Sequence, residues 1–484
     1  MNLFQSIIIF LFIVFSFSTG YSQENKVQDL KYPVALRDDI KVDHVMTIVP
    51  QAVRILRAPL TGDFYFTTFN GEVHKIKNID GTEPTSEKIF DAEDHGITRL
   101  QGAAFLKNTL FLMGNVSVNN NKGTKGRMVK YELQASGNHK MTEVFNTEEI
   151  GSTKTTFDHG FNGTVISPDG KYIFVNSGAR TDHGEVQDND GEYPNSRDEA
   201  LTACLFRFPV DAENLYLPND EKKLIADGYL YAKGIRNAYD LAFDPDGNLF
   251  AVSNSGDYDH PEDMFWIRKG HHYGFPWVMG GIENPQQYPD WQPDPETDPF
   301  ISPFAHAWLV QYFRNDPDFP KRPEGIQFTA AVQNLGPDAN EYRDRATGIV
   351  MDGDTTGATV GTFNAHSSPL GLFFDTEKIL NSDFKGDGFV IRYTGGGRSA
   401  TSSPLRKEGK DLLHLDLKYD KKADNYTVRT TTIVNGFSSP TDAEMVGNKV
   451  YIIEYSGKNG GNIWKITLPA EASTEKVSRT NKTE

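Results

Sequence analysis

Cysteine is almost missing from this chain: 484 residues contain one, Cys204. A lone thiol closes no intramolecular disulfide, so stability outside a reducing compartment must come from packing or from metal. Set in LTACLFRF, Cys204 reads as a small buried hydrophobe. Positive charge is scarce too, with 49 Lys and Arg against 66 Asp and Glu and a net charge of −17. Such a balance repels nucleic acid and removes it from the expected partners. Acidic loops do suit a hard cation such as calcium, although most surface carboxylates are merely solvated. The N-terminal apolar run, Ile7 to Phe17, is short for a membrane span. With small residues at Gly20 and Ser22, it reads as a signal peptide over residues 1–22, although the first charge is Glu24 and a basic leader is missing. An uncleaved anchor is the alternative. Cleavage would leave a periplasmic or secreted protein with no stable membrane span.

What is present is repetition. A strand, a turn and a second strand recur six times: in 62–76, 108–133, 170–210, 247–267, 386–417 and 447–468. Short apolar strands precede five of these units, at 100–105, 161–167, 238–243, 368–374 and 440–446. Units that cannot bury their faces alone but can stack on neighbours predict an all-β, six-bladed β-propeller; an irregular sandwich is the competing architecture. The expected boundaries are an N-terminal extension over 23–44, the propeller over 45–468 and a disordered tail over 469–484. Two stretches, 179–203 and 257–367, are too long for hairpin loops. Within the second, the Pro- and Asp-rich 283–304 is expected to form an ordered cap over one face.

Propeller geometry brings the residues before each inner strand to one mouth of the central channel. His159 and Asp158 in FDHGFNG, Arg236, Asn237 and Asp240 in KGIRNAYD, and Asn364 and His366 in NAHSSP occupy such positions. A histidine and an arginine facing one cavity suit a general base and an anion stabiliser, with Asp158 orienting His159. The same residues are compatible with capped, structural roles. The loop SGDYDHPEDMF offers Asp257, Asp259, Glu262 and Asp263 and the carbonyls near Gly256 and Pro261 to a cation, without EF-hand spacing. His260, His271 and His272 show no metal-ligand spacing and read as wall residues.

Four stretches, DHGFNGTVISPDGKYIFVNSG, GIRNAYDLAFDPDGNLF with SGDYDHPEDMFWIRKGHHYGFPW, AHSSPLGLFF and SPTDAEMVGNKVYIIEYSG, resemble the soluble quinoprotein glucose/sorbosone dehydrogenases over roughly residues 45–468. The resemblance implies a six-bladed propeller using pyrroloquinoline quinone (PQQ) and calcium, a sugar or related alcohol or aldehyde as substrate, and an external electron acceptor. It implies His159 as the base, Arg236 at the reduced quinone oxygen with Asn237 beside it, and the carbonyls of Gly256 and Asp257 on calcium. Glu262 and Asp263 match an acidic pair in a nearby structural calcium loop. Ile97 and Thr394 stand where the family has a glutamine and a lysine, and Ser439 and Thr441 where it has two arginines that hold the quinone carboxylates. Arg392, Arg398 and Arg406 are the neighbouring cations. A metal-dependent sugar lactonase or lyase without quinone, and a carbohydrate-binding propeller using Trp277, Trp291 and Tyr273 as platforms, are the other readings.

Overall fold

Alternating apolar residues broken by Asn-Gly or Asp-Gly turns favour antiparallel meanders. In Phe64–Thr68 and Val73–Lys77 the ladder runs from Phe64 opposite Ile76 to Thr67 opposite Val73, and the connection passes through Gly71 at a φ of 99°. The computed structural model describes residues 31–134, 136–153, 155, 157–357, 361–393, 405, 409–455 and 460–471. From Tyr32 onward they form six radial sheets and two small two-stranded hairpins outside them.

Blade one is Ala52–Arg57, Phe64–Thr68, Val73–Lys77 and Thr85–Phe90. Blade two begins at Arg99–Leu106, blade three at Phe161–Ile166, blade four at Ala238–Phe243 and blade five at Pro369–Phe374. Blade six comprises Pro440–Val446, Lys449–Glu454 and Gly461–Thr467, and its outermost strand is Lys41–Ile48 from the other end of the chain. That pairing is antiparallel, with Lys41 opposite Thr467 and Ile48 opposite Gly461. All six inner strands touch their neighbours around the ring.

The core lies between blades. Phe389, Ile391 and Leu412 of blade five pack with Val450, Ile452 and Trp464 of blade six, all at most 1% exposed. Each such side chain contributes ~1.5–3 kcal/mol on burial. Cys204 is buried in the blade-three core, as its apolar setting suggested.

A polar plug crosses the channel. Arg54 is 3.2 Å from Asp240 and 3.3 Å from Asp442, donates to the Gln101 carbonyl at 2.8 Å, and also donates to the Tyr239 carbonyl. Asp240 accepts from Leu372 N, and Asp442 accepts from Ile55 N, both at 2.8 Å. The plug therefore ties together every blade except the third.

The segment 283–304 packs Phe300 and Ile301 with Phe157, Tyr258, Ala307 and Phe313, against the chain that leads into the mouth. Among the described residues no helix is long and apolar enough to cross a membrane. The signal segment 1–22, Thr394, Arg398, Arg406 and most of the tail lie outside the described residues.

Candidate active site at the propeller mouth

His159 sits two residues before the inner strand of blade three, and Arg236 two before that of blade four. Ala179 joins them: its carbonyl accepts from His159 N at 3.0 Å, and its N–H donates to the Arg236 carbonyl at 2.6 Å. The same carbonyl lies 2.9 Å from His159 Nδ1. A carbonyl only accepts, so Nδ1 carries the hydrogen and Nε2 of the neutral ring is left as a bare lone pair. The residue keeps some exposed surface, yet the ring is desolvated, and burial together with the charge of Arg236 pushes it down to about 3. Asp158 does not provide the orienting contact expected of it: its Oδ2 is buried without a hydrogen-bond partner, and the ring is held by Ala179.

Gly178 has a steric reason to be glycine. A Cβ there would lie 2.7 Å from His159 Cβ and 2.9 Å from Asn237 Oδ1, so these two side chains flank it. Asn237 Oδ1 accepts from Asn162 at 2.7 Å, and Asn162 Oδ1 accepts from Asn176 at 2.8 Å. This amide chain runs from the mouth into blade three.

Arg236 is 6% exposed and rigidly held. Nε donates to the Asp182 carbonyl at 2.7 Å, Nη1 to the Asn254 carbonyl at 3.0 Å and Nη2 to Asp182 Oδ1 at 3.1 Å. Two of its five N–H groups stay uncommitted. Asp182 also accepts from Asp257 N at 3.1 Å and sits 2.7 Å from His183 Nδ1. Burial opposes its charge, but His183 and Arg236 bring it down to about 2. Asp182 belongs to the 179–203 excursion, where sequence reasoning named no site residue; the D-H-x-E run at 182–185 was the available signal.

Gly256 packs on Asp182, whose carbonyl would be 3.0 Å from an added Cβ. The carbonyls of Gly256 and Asp257 accept no hydrogen bond among the described residues, and two bare carbonyls suit a hard cation. Burial and the charge of Asp182 push the Asp257 carboxyl up to about 6. The rest of the expected calcium set does not converge. Glu262 and Asp263 are adjacent along an extended chain and face opposite ways: Glu262 accepts from Ser255 N at 2.6 Å, Asp263 from Gly280 N at 2.9 Å. Asp259 lies 2.7 Å from both Arg343 and His366, and so is already neutralised. Among the described residues no three His, Cys, Asp or Glu side chains form a metal cluster.

Of the positions where the family anchors the quinone, Ile97 is apolar and Thr441 is committed. Ile97 is fully buried in the core of blades one and two, and Thr441 Oγ1 donates into carbonyls of blades one and six. Arg392 lies 2.9 and 2.6 Å from the two oxygens of Asp411 and also bonds Asn364. Of the aromatic platforms, Tyr273 is buried and bonded to the Trp266 carbonyl, Trp277 donates to the Pro320 carbonyl, and Trp291 lines a large cavity.

No family model and no curated protein matches the sequence. Solved structures do match in fold. The soluble aldose sugar dehydrogenase of Escherichia coli in its apo-form gives a TM-score of 0.52 at 12% identity, over 89% of this chain and 99% of that one. The holo form of the pyranose dehydrogenase PQQ domain of Coprinopsis cinerea gives 0.51 at 12% identity, over 90% and 98%. A glucose dehydrogenase gives 0.51 at 12% identity, over 88% and 99%. In fold, this chain is a six-bladed propeller similar to the soluble sugar dehydrogenases.

Proposed function

We propose that the protein is an oxidoreductase that removes hydrogen from a sugar hydroxyl or a related alcohol or aldehyde at the propeller mouth. The observation that carries this reading is the imidazole of His159, held neutral with Nε2 bare beside the partly committed guanidinium of Arg236. A substrate hydroxyl gives its proton to His159 Nε2. Arg236 offers two N–H groups to an oxygen on which negative charge develops, and Asp182 keeps it from turning away.

Pyrroloquinoline quinone, when bound, supplies the two-electron acceptor. The donor set fits its reactive end: Arg236 and Asn237 for a quinone oxygen, and the Gly256 and Asp257 carbonyls for a cation. A secreted or periplasmic location, with an external electron acceptor, accompanies this reading.

The test is an equilibrium titration of residues 23–484 with pyrroloquinoline quinone, with and without calcium, followed by absorbance. Tight, calcium-dependent binding that Arg236→Met weakens supports the proposal. No binding at concentrations far above holoenzyme needs would overturn the quinone and leave the metal-dependent lactonase or lyase to be tested.

A further inference from the structure

A cavity of about 1030 Å³ lies on the cap and is lined by Tyr258, Trp291, Phe300, Tyr342, Arg343 and Arg345 among others. It falls at the upper end of the size range of small-molecule sites, roughly 300–1,000 Å³. Most polar groups around it are settled. Arg343 is 2.7 Å from Asp259, Arg322 is 3.0 Å from Glu283, and the Tyr258 hydroxyl donates to Asp298.

Arg345 is the exception. Its guanidinium carbon sits 3.9 Å from the centre of the Phe300 ring and 4.4 Å from that of Tyr258, so it is clamped between two aromatic faces. Nη2 donates to the Tyr258 carbonyl at 3.0 Å, whereas Nε and Nη1 are buried without a hydrogen-bond partner. No carboxylate is within ion-pair distance of it among the described residues. Burial pulls the guanidinium down to about 10, so it remains a cation at neutral pH. A guanidinium without an ion-pair partner is costly to desolvate, and because Nε and Nη1 are enclosed, a cavity anion would meet this half-buried side chain through the second hydrogen of Nη2.

Trp291 supplies the second element. It is half-buried and stands edge-on to Tyr258, at 6.1 Å and 83°, an amphipathic surface suited to the apolar face of a sugar ring. The cavity also adjoins the mouth: Asp259 contacts Arg343 on the cap and His366 ahead of the blade-five inner strand, each at 2.7 Å. Three carboxylates share the lining, but Glu283 is paired with Arg322, Asp298 accepts from the Tyr258 hydroxyl and Asp344 accepts from Thr347, and charges more than ~8 Å away are largely screened at physiological salt.

We propose that the cap cavity binds an anionic sugar unit, with Arg345 contacting the anion and Trp291 the ring. The anion requirement stands on Arg345 alone; that a sugar carries it rests on the function proposed above. A chain with one unit at the mouth would seat a neighbouring acidic unit on the cap.

The experiment is calorimetric titration of the protein without added quinone, using a short oligogalacturonate, a sulfated neutral oligosaccharide and the unsulfated parent of the latter. Binding of either anionic sugar at least about tenfold tighter than the parent, lost on Arg345→Gln and weakened on Trp291→Ala, is expected, and the two anionic arms distinguish carboxylate from sulfate. His159→Gln should leave this binding unchanged, so failure of the oxidoreductase reading and failure of this one can be told apart. Equal affinity for anionic and neutral sugars, no binding of any, or undiminished affinity in an Arg345→Gln protein with native circular dichroism would overturn it. As a second readout, the anionic sugar should raise the thermal midpoint of wild type and not that of Arg345→Gln.

Discussion

Replacing Arg54 by Met tests the channel plug most directly. The guanidinium is 3% exposed and lies between two carboxylates at 3.2 and 3.3 Å. Burial pushes Asp442 up to about 7 against the pull of Arg54, with the charge of Asp240 adding to the rise, and burial raises Asp240 likewise. A folded-state value above the unfolded one, ~3.9, means that stability is fully present in acid and is lost as pH rises through the folded value. Removing Arg54 takes away the cation that both carboxyls share and leaves only backbone donors such as Ile55 N and Leu372 N to hold the values down, so the loss deepens and extends to higher pH. Breaking a buried pair by deleting one partner costs ~3–5 kcal/mol. Orphaning the carbonyls of Gln101 and Tyr239 adds ~1–2 kcal/mol. Arg54→Met should therefore lose about 4–7 kcal/mol at pH 8 and only about 2 at pH 5, where the raised Asp442 carboxyl is protonated. Urea unfolding at the two pH values measures this, and adding Asp442→Asn should recover about 2 kcal/mol at pH 8. An equal loss at both pH values, or a loss under about 1 kcal/mol at pH 8, would refute the reasoning.

His159→Gln should lower turnover by about 10²-fold or more while leaving quinone or sugar affinity nearly intact, because a base acts chiefly in the chemical step; near-wild-type turnover would remove His159 from that role. Since burial and Arg236 push His159 down to about 3, it stays neutral throughout the accessible range. The His159-dependent acid limb of kcat/KM should therefore fall below pH 5 rather than near the ordinary histidine value of ~6.5, and a limb near 6.5 that vanishes in His159→Gln would count against the geometry. Gly178→Ala should push His159 and Asn237 apart and cut activity about tenfold or more, with an unfolding loss of only about 1–3 kcal/mol, read by kinetics beside urea unfolding. Deleting residues 31–48 should lower the thermal midpoint by several degrees at least, since it strips the edge of blade six; an unchanged midpoint would mean that the closing strand contributes nothing.

The repeats were legible because each blade repeats a local message, two or three alternating strands and their turns, and five of the inner strands lie within a residue or two of where the pattern put them. Ala52–Arg57 and the closing strand Lys41–Ile48 were not read from sequence. The closing strand is half-exposed and its partner lies over 400 residues away, so no local pattern announces the pairing. At the mouth, His159, Arg236 and Asn237 are brought together as the propeller topology required. The acidic loop was less legible: composition counts oxygens, whereas the extended backbone turns Glu262 and Asp263 to opposite sides and lends Asp259 to the cap. Asp182 and Arg54 were missed for a common reason, namely that their importance comes only from what lies opposite them.

The latch between the two ends of the chain has a mechanical consequence. Lys41 faces Thr467 and Ile48 faces Gly461, so the chain enters and leaves this ladder at the same end. Tension applied to the two termini would load one rung at a time, peeling the strand rather than shearing all its hydrogen bonds together. Once the short Val34–Ala35 pairing on blade five has given way, a ring held by its packed blades is thus built to part at its seam under a pull.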